Sequence, residues 1–180
     1  VLGGHGFISE WGMEQEVRDA RISQLYEGTT GIQGLDLLGR KILGTRGKVL
    51  KPMMTKVEKF IKDNKRNKFA KQLKAYFGTW ESLTRSVGFS AMRDADEVNA
   101  AAVDYLMFAG YVTVAYFWAE AAVAAEKALS NGASEPEFYK TKIATADFYF
   151  QRIMPRTLAH EAAIKNGMES MMAIEPEHFA

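Results

Sequence analysis

The 180 residues contain no cysteine, so disulfides, thiolate zinc sites and cysteine nucleophiles are all excluded. Histidine is almost as scarce. His5, His160 and His178 lie far apart in the chain, and no metal site is expected from them. The opening Val1-Leu2-Gly3-Gly4 has no basic region or apolar stretch ahead of a cleavage site, so it is not read as a signal peptide. It also lacks a starting methionine, and the chain is expected to be a truncated piece or a proteolytic remnant. Long apolar runs are missing too. The longest, residues 105–119, is closed by Asp104 and Glu120. It falls short of the roughly 20 residues that a membrane span needs and suits a buried helix. No span is therefore expected, and the expected location is cytoplasmic.

Acidic residues are nearly absent from one stretch. Between Arg40 and Lys74 there are 13 basic and 2 acidic residues, a net of +11 in a chain whose formal charge is +1. Such a block suits an anionic partner or a solvated helical face. No aromatic-rich or glycine-rich RNA motif accompanies it, so no nucleic-acid partner is expected.

Glycine is concentrated before residue 48 and sparse afterwards, which marks a boundary near Gly44-Thr45-Arg46-Gly47. No segment alternates as a strand does, and helical spacing recurs instead. Residues 14–25 read as one helix. Residues 30–43 read as the next, with Ile32, Leu35, Leu38 and Ile42 on one face. Leu50, Met53, Met54, Val57, Phe60 and Ile61 form a further stripe. Phe69, Leu73, Tyr76, Phe77, Trp80, Leu83 and Val87 form another. A long helix is predicted over 95–129, stopping at Ser130-Asn131-Gly132. The last begins with Ser134 as N-cap and Pro136 in its first turn, carries Tyr139, Ile143, Ala146, Phe150, Ile153 and Leu158, and should kink at Pro155. The expected fold is all-α: an up-down four-helix bundle over 45–180, preceded by two shorter helices in 1–44. The helix holding residues 105–119 should be the most enclosed. Trp11, Trp80 and Trp118 are expected to pack.

Glu27 lies between a bulky aromatic and a glycine, at a turn between two helices. Tyr26 can shield it from water, which raises a carboxylate's pKa toward that of a general base. A structural glutamate favoured by a helix start fits the same residues. Gly3-Gly4-His5-Gly6 lets backbone approach a ligand closely, although a plain loop would also use it. His160 is read as a solvent-facing or satisfied helical histidine rather than an acid–base group. The cluster Met168-Glu169-Ser170-Met171-Met172 either packs on the bundle or lines a partner surface.

Taken in register, Leu2-Gly3-Gly4-His5-Gly6-Phe7, Val17-Arg18-Asp19-Ala20-Arg21-Ile22 and Leu25-Tyr26-Glu27-Gly28-Thr29-Thr30-Gly31-Ile32-Gln33 resemble the end of the flavin domain in acyl-CoA dehydrogenases. The resemblance covers residues 1–44. It implies that Glu27 is the catalytic base, that Tyr26 and Gly28 meet the substrate, and that Gly3, Gly4, Gly6, Thr29, Thr30 and Gly31 lie along FAD. Many members carry glutamine where this chain has Gly31, which removes one side-chain contact to the cofactor. Met92-Arg93-Asp94-Ala95 and the alanine- and aromatic-rich helix after it resemble the additional C-terminal helical domain of a larger subgroup, which includes methylthiopropionyl-CoA dehydrogenases. That assigns 45–180 to this domain. The family's N-terminal helical domain and middle β-domain fall outside these residues, so the chain alone is expected to be inactive. The resemblance further implies an acyl-CoA substrate, a homo-oligomeric parent enzyme and an electron-transferring flavoprotein as acceptor. The alternative is a non-catalytic helical oligomerisation or interaction domain.

Overall fold

The computed structural model describes residues 2–26 and 29–178. Every regular element among them is helical. Two short turns, Gly3–Phe7 and Ser9–Trp11, lead into α1 (Met13–Arg21) and α2 (Ser23–Tyr26). The single helix expected over 14–25 is thus broken at Ile22. α3 (Thr30–Leu35) continues without a break as a wider π-helical turn, Asp36–Leu43. Then come α4 (Lys51–Asp63), α5 (Lys68–Ser90), α6 (Asp96–Ser130), α7 (Pro136–Phe148) and α8 (Thr157–Asn166).

Cross-helix contacts set the directions. Asn67 Nδ2 donates to Glu126 Oε2 at 2.7 Å, while Trp80 Nε1 donates to the Tyr105 hydroxyl at 3.0 Å. The start of α5 therefore faces the end of α6, and the two are antiparallel. The Tyr149 hydroxyl bonds the Tyr111 carbonyl, and His160 meets Asp104, so α7 and α8 run back along α6. With α4 returning against α5, the result is the expected up-down bundle.

α6 is its axis. Tyr105, Phe108, Val112, Ala115, Tyr116, Ala119 and Ala122 are all buried on one broad face, while Val103, Met107, Val114 and Phe117 on the opposite side are exposed. By length and composition α6 could cross a membrane, with an 18-residue window of mean hydropathy 1.4. It packs instead against α3, α5, α7 and α8. Each large side chain enclosed in this way contributes roughly 1.5–3 kcal/mol. The α5 stripe is buried from Phe69 to Val87, Tyr76 only partly. On α4 only Val57 of the predicted stripe is fully enclosed, and the others pack at its edge.

Three local features differ from the sequence reading. The N-cap of α7 is Glu135, with no side-chain cap bond, rather than Ser134. Pro155 interrupts the last helix more thoroughly than a kink would: α7 widens into a π turn at Tyr149–Ile153, tightens into a 3₁₀ turn at Met154–Arg156, and only then resumes as α8. Proline has no N–H to give the preceding turn, which explains the break. Third, Leu158, Ile32 and Trp11 are exposed (62%, 61% and 51%), whereas Trp80 is buried.

Residues 2–26 bury no described side chain. The α3 segment does join the core, through Leu38 and Ile42. Gly34 brings it close: its backbone lies directly on that of Ala102 in α6.

Candidate active site

The glycine loop forms the 3₁₀ turn Gly3–Phe7. Gly3 has φ +56°, a backbone conformation in which a side chain would be strained. A Cβ built on Gly3 or Gly4 would meet nothing within 4 Å, so this face of the backbone is open to a ligand. The loop's contacts run to α1 and to the Ser9–Trp11 turn, where His5 and Trp11 meet edge to face at 5.6 Å. α1 itself is exposed, and Val17, Ile22 and Leu25 form an uncovered apolar side of this segment.

Glu27 and Gly28 lie outside the described residues. Tyr26 closes α2, and the described chain resumes at Thr29. Thr29 has φ +46° and ψ 123°, unusual for a non-glycine residue. It stands at the N-cap of α3 without a side-chain cap bond, although its carbonyl accepts from Gln33 N at 3.1 Å. Thr30 and Gly31 form the first turn. The N–H groups of Thr30, Gly31 and Ile32 have no acceptor within the helix and point out of its exposed start. Such a terminus favours negative charge. A Cβ on Gly31 would meet nothing within 4 Å.

What holds this helix start is visible further along. A Cβ on Gly34 would stand 2.6 Å from the Ala102 carbonyl oxygen. One on Gly39 would meet Val98 at 3.4 Å, and one on Gly88 would meet Leu43 at 3.3 Å. Glycines thus let α3 and its π extension settle onto α5 and α6. The sequence reading gave Gly34 no role. Its signal was a glycine inside an apolar helical stripe, which tends to mark a close approach. Below it, Asp36 is held below the usual carboxylate range by its hydrogen bond to Lys41 (2.7 Å) and by the Arg40 guanidinium, with which it also pairs.

Elsewhere several polar side chains of the bundle pair with each other. Tyr105 takes a hydrogen bond from Trp80 and shares another with Thr84 at 2.6 Å; burial raises its pKa. Tyr116 is raised in the same way, and its hydroxyl donates to Glu120. His160 Nδ1 lies 2.7 Å from Asp104 Oδ1, and the ring stacks on Tyr111 at 5.8 Å. This agrees with a satisfied structural histidine. Among the described residues no group of three or more His, Asp or Glu could hold a metal ion.

Two family models match different parts of the chain. Residues 53–175 match the family described as "Acetyl-CoA dehydrogenase C-terminal like". Residues 1–43 match "Acyl-CoA dehydrogenase, C-terminal domain". The 3-methylmercaptopropionyl-CoA dehydrogenase of Ruegeria pomeroyi is 33% identical over 177 residues, covering 96% of this chain and 30% of that protein. A broad-specificity linear acyl-CoA dehydrogenase of Mycobacterium tuberculosis is 30% identical over 192 residues, covering 99% of this chain and 31% of its own length. The human mitochondrial short-chain specific acyl-CoA dehydrogenase is 44% identical over 46 residues, 26% of this chain and 11% of its own. The chain therefore spans about 30% of the length of these two bacterial relatives.

Proposed function

This chain belongs to the acyl-CoA dehydrogenases, as a C-terminal region of that family, and on that premise we propose that its parent enzyme α,β-dehydrogenates an acyl-CoA thioester. The observation that carries the reading is the match of residues 1–43 to the acyl-CoA dehydrogenase C-terminal domain; within it Glu27 comes, in sequence, shortly before the start of α3, a segment that rests on α6 at Gly34.

In this reading Glu27 takes the proton from the α-carbon as general base. The backbone N–H at Glu27 donates to the thioester carbonyl oxygen, stabilising the negative charge that develops as the proton leaves. Tyr26 and Gly28 flank the acyl chain and keep water from the carboxylate. FAD, when bound, would supply the hydride acceptor for the β-carbon. The residues present fit that cofactor. Gly3 and Gly4 leave room for its diphosphate against bare backbone, and the N–H groups opening α3 suit an anionic or carbonyl acceptor. Gly6, Thr29, Thr30 and Gly31 complete the cofactor-facing set. Residues 45–180 form the additional helical domain, which holds α3 in place. The parent enzyme is a homo-oligomer that passes electrons to an electron-transferring flavoprotein.

The chain spans about 30% of the relatives' length, and in this reading most of the flavin and thioester pocket lies in the part it does not span. The chain by itself is therefore expected to purify without stoichiometric flavin, which absorbance near the flavin band would check. In the full-length enzyme, Glu27→Gln should abolish dehydrogenation while acyl-CoA binding persists. Normal turnover by that variant would refute the role of Glu27.

A further inference from the structure

A groove between α4 and α5 has no part in the reading above. Its cavity is about 560 Å³, with Ile61 and Phe77 among its apolar lining. Lys62 near the end of α4 and Lys65 in the turn after it border the groove, with Lys71 and Lys74 from α5. Lys71 and Lys74 are three residues apart on α5 and share one helix face. Glu58 and Glu81 also line the groove, toward its other end. Among the described residues none of the four lysines takes part in an ion pair. Four unneutralised ammonium groups around apolar surface repel one another, and an anion with an apolar body would relieve that.

The complementary surface is in the same chain. After α8 ends at Asn166, residues 168–177 contain Glu169, Glu175 and Glu177 and no lysine or arginine. Met171, Met172 and Ile174 in this tail are exposed (64%, 56% and 54%). Within one chain the tail turns back on itself, with the Met171 and Met172 N–H groups both donating to the Met168 carbonyl. The tail is acidic and apolar, the groove is basic and apolar, and the basic stretch and the methionine cluster both find their use in one contact.

We propose that residues 168–177 of one copy dock in the α4–α5 groove of a second copy, each copy giving a tail and receiving one. The reciprocal form of this exchange is closed and two-fold, whereas a one-way contact would run on into larger assemblies. Methionines suit an irregular apolar floor, being unbranched and adaptable. The glutamates meet the lysine end, which fixes partner and register.

Charge reversal tests this by sedimentation of the 180-residue chain. The groove variant is Lys71→Glu/Lys74→Glu and the tail variant is Glu175→Lys/Glu177→Lys. All four side chains are exposed, and thermal melts confirm that each variant folds. The unaltered chain should associate, more weakly as salt is raised. Either variant alone should associate at least about tenfold more weakly, a loss of about 1.4 kcal/mol. An equal mixture of the two should restore the dimer, since each groove then meets a tail of opposite charge. A chain that stays monomeric at all concentrations overturns the proposal. So does a dimer indifferent to both variants, or a monomer whose tail cross-links to its own groove.

Discussion

Gly34 in α3 rests on the backbone of Ala102 in α6, so closely that a Cβ would stand 2.6 Å from the Ala102 carbonyl oxygen and 3.1 Å from the Val103 nitrogen. Neither atom can move without moving α6. The close approach couples the segment bearing the candidate site to the axis of the bundle.

Gly34→Ala should therefore destabilise the chain by roughly 1–3 kcal/mol, because overpacking forces the backbone to shift. Gly110→Ala is the control. That glycine is in the same α6, and its added Cβ would meet nothing within 4 Å. It should stabilise by about 0.5–1 kcal/mol, the usual gain of alanine over glycine in a helix. Denaturant titration of both variants reads the difference in sign.

Tyr105→Phe should cost roughly 1–3 kcal/mol, since it leaves the buried Trp80 N–H without its acceptor. Thr84 would lose the same partner but can still donate to the Trp80 carbonyl, 2.8 Å away. The midpoint should fall with little change in the slope of the transition.

Stability should decline in alkali. Tyr149 is pushed up to about 12, first by burial and then by Tyr111. Its ordinary value is 10.0, so between 10.0 and about 12 the unfolded chain releases a proton that the folded chain keeps. Folding then loses free energy as pH rises through this window, and the contribution is intact below it. Burial shifts Tyr105 the same way. Melting temperatures measured from pH 8 upward should fall, and Tyr149→Phe should make the fall shallower.

His160→Ala should loosen α8 from α6, because it removes both the Asp104 hydrogen bond and the stack on Tyr111. Amide exchange along α8 should quicken. In the full-length enzyme the rate of the chemical step should not change, since this pair is structural. A pH–rate profile that altered with His160 would contradict that.

Sequence alone determined the helical class, the bundle and the boundaries of its longest elements. Those follow from apolar spacing and from local stop signals, and they survive because each is decided within a few turns of chain. Asn131-Gly132 ends α6 where expected, with Gly132 at φ +74°. The candidate base was legible only through motifs in register, since Glu27 alone is an ordinary carboxylate beside a glycine. Tertiary structure decided the rest. Phe77 and Phe89 are both phenylalanines on α5, yet one is buried and the other 63% exposed, because burial depends on which neighbour reaches that face. Gly34 could be a defect or a contact by sequence, and only the position of Ala102 makes it a contact. The basic run likewise became a groove only when the end of α4 and the turn after it set Lys62 and Lys65 beside Lys71 and Lys74 of α5. Periodicity is a property of one helix, and a site needs the distance between two.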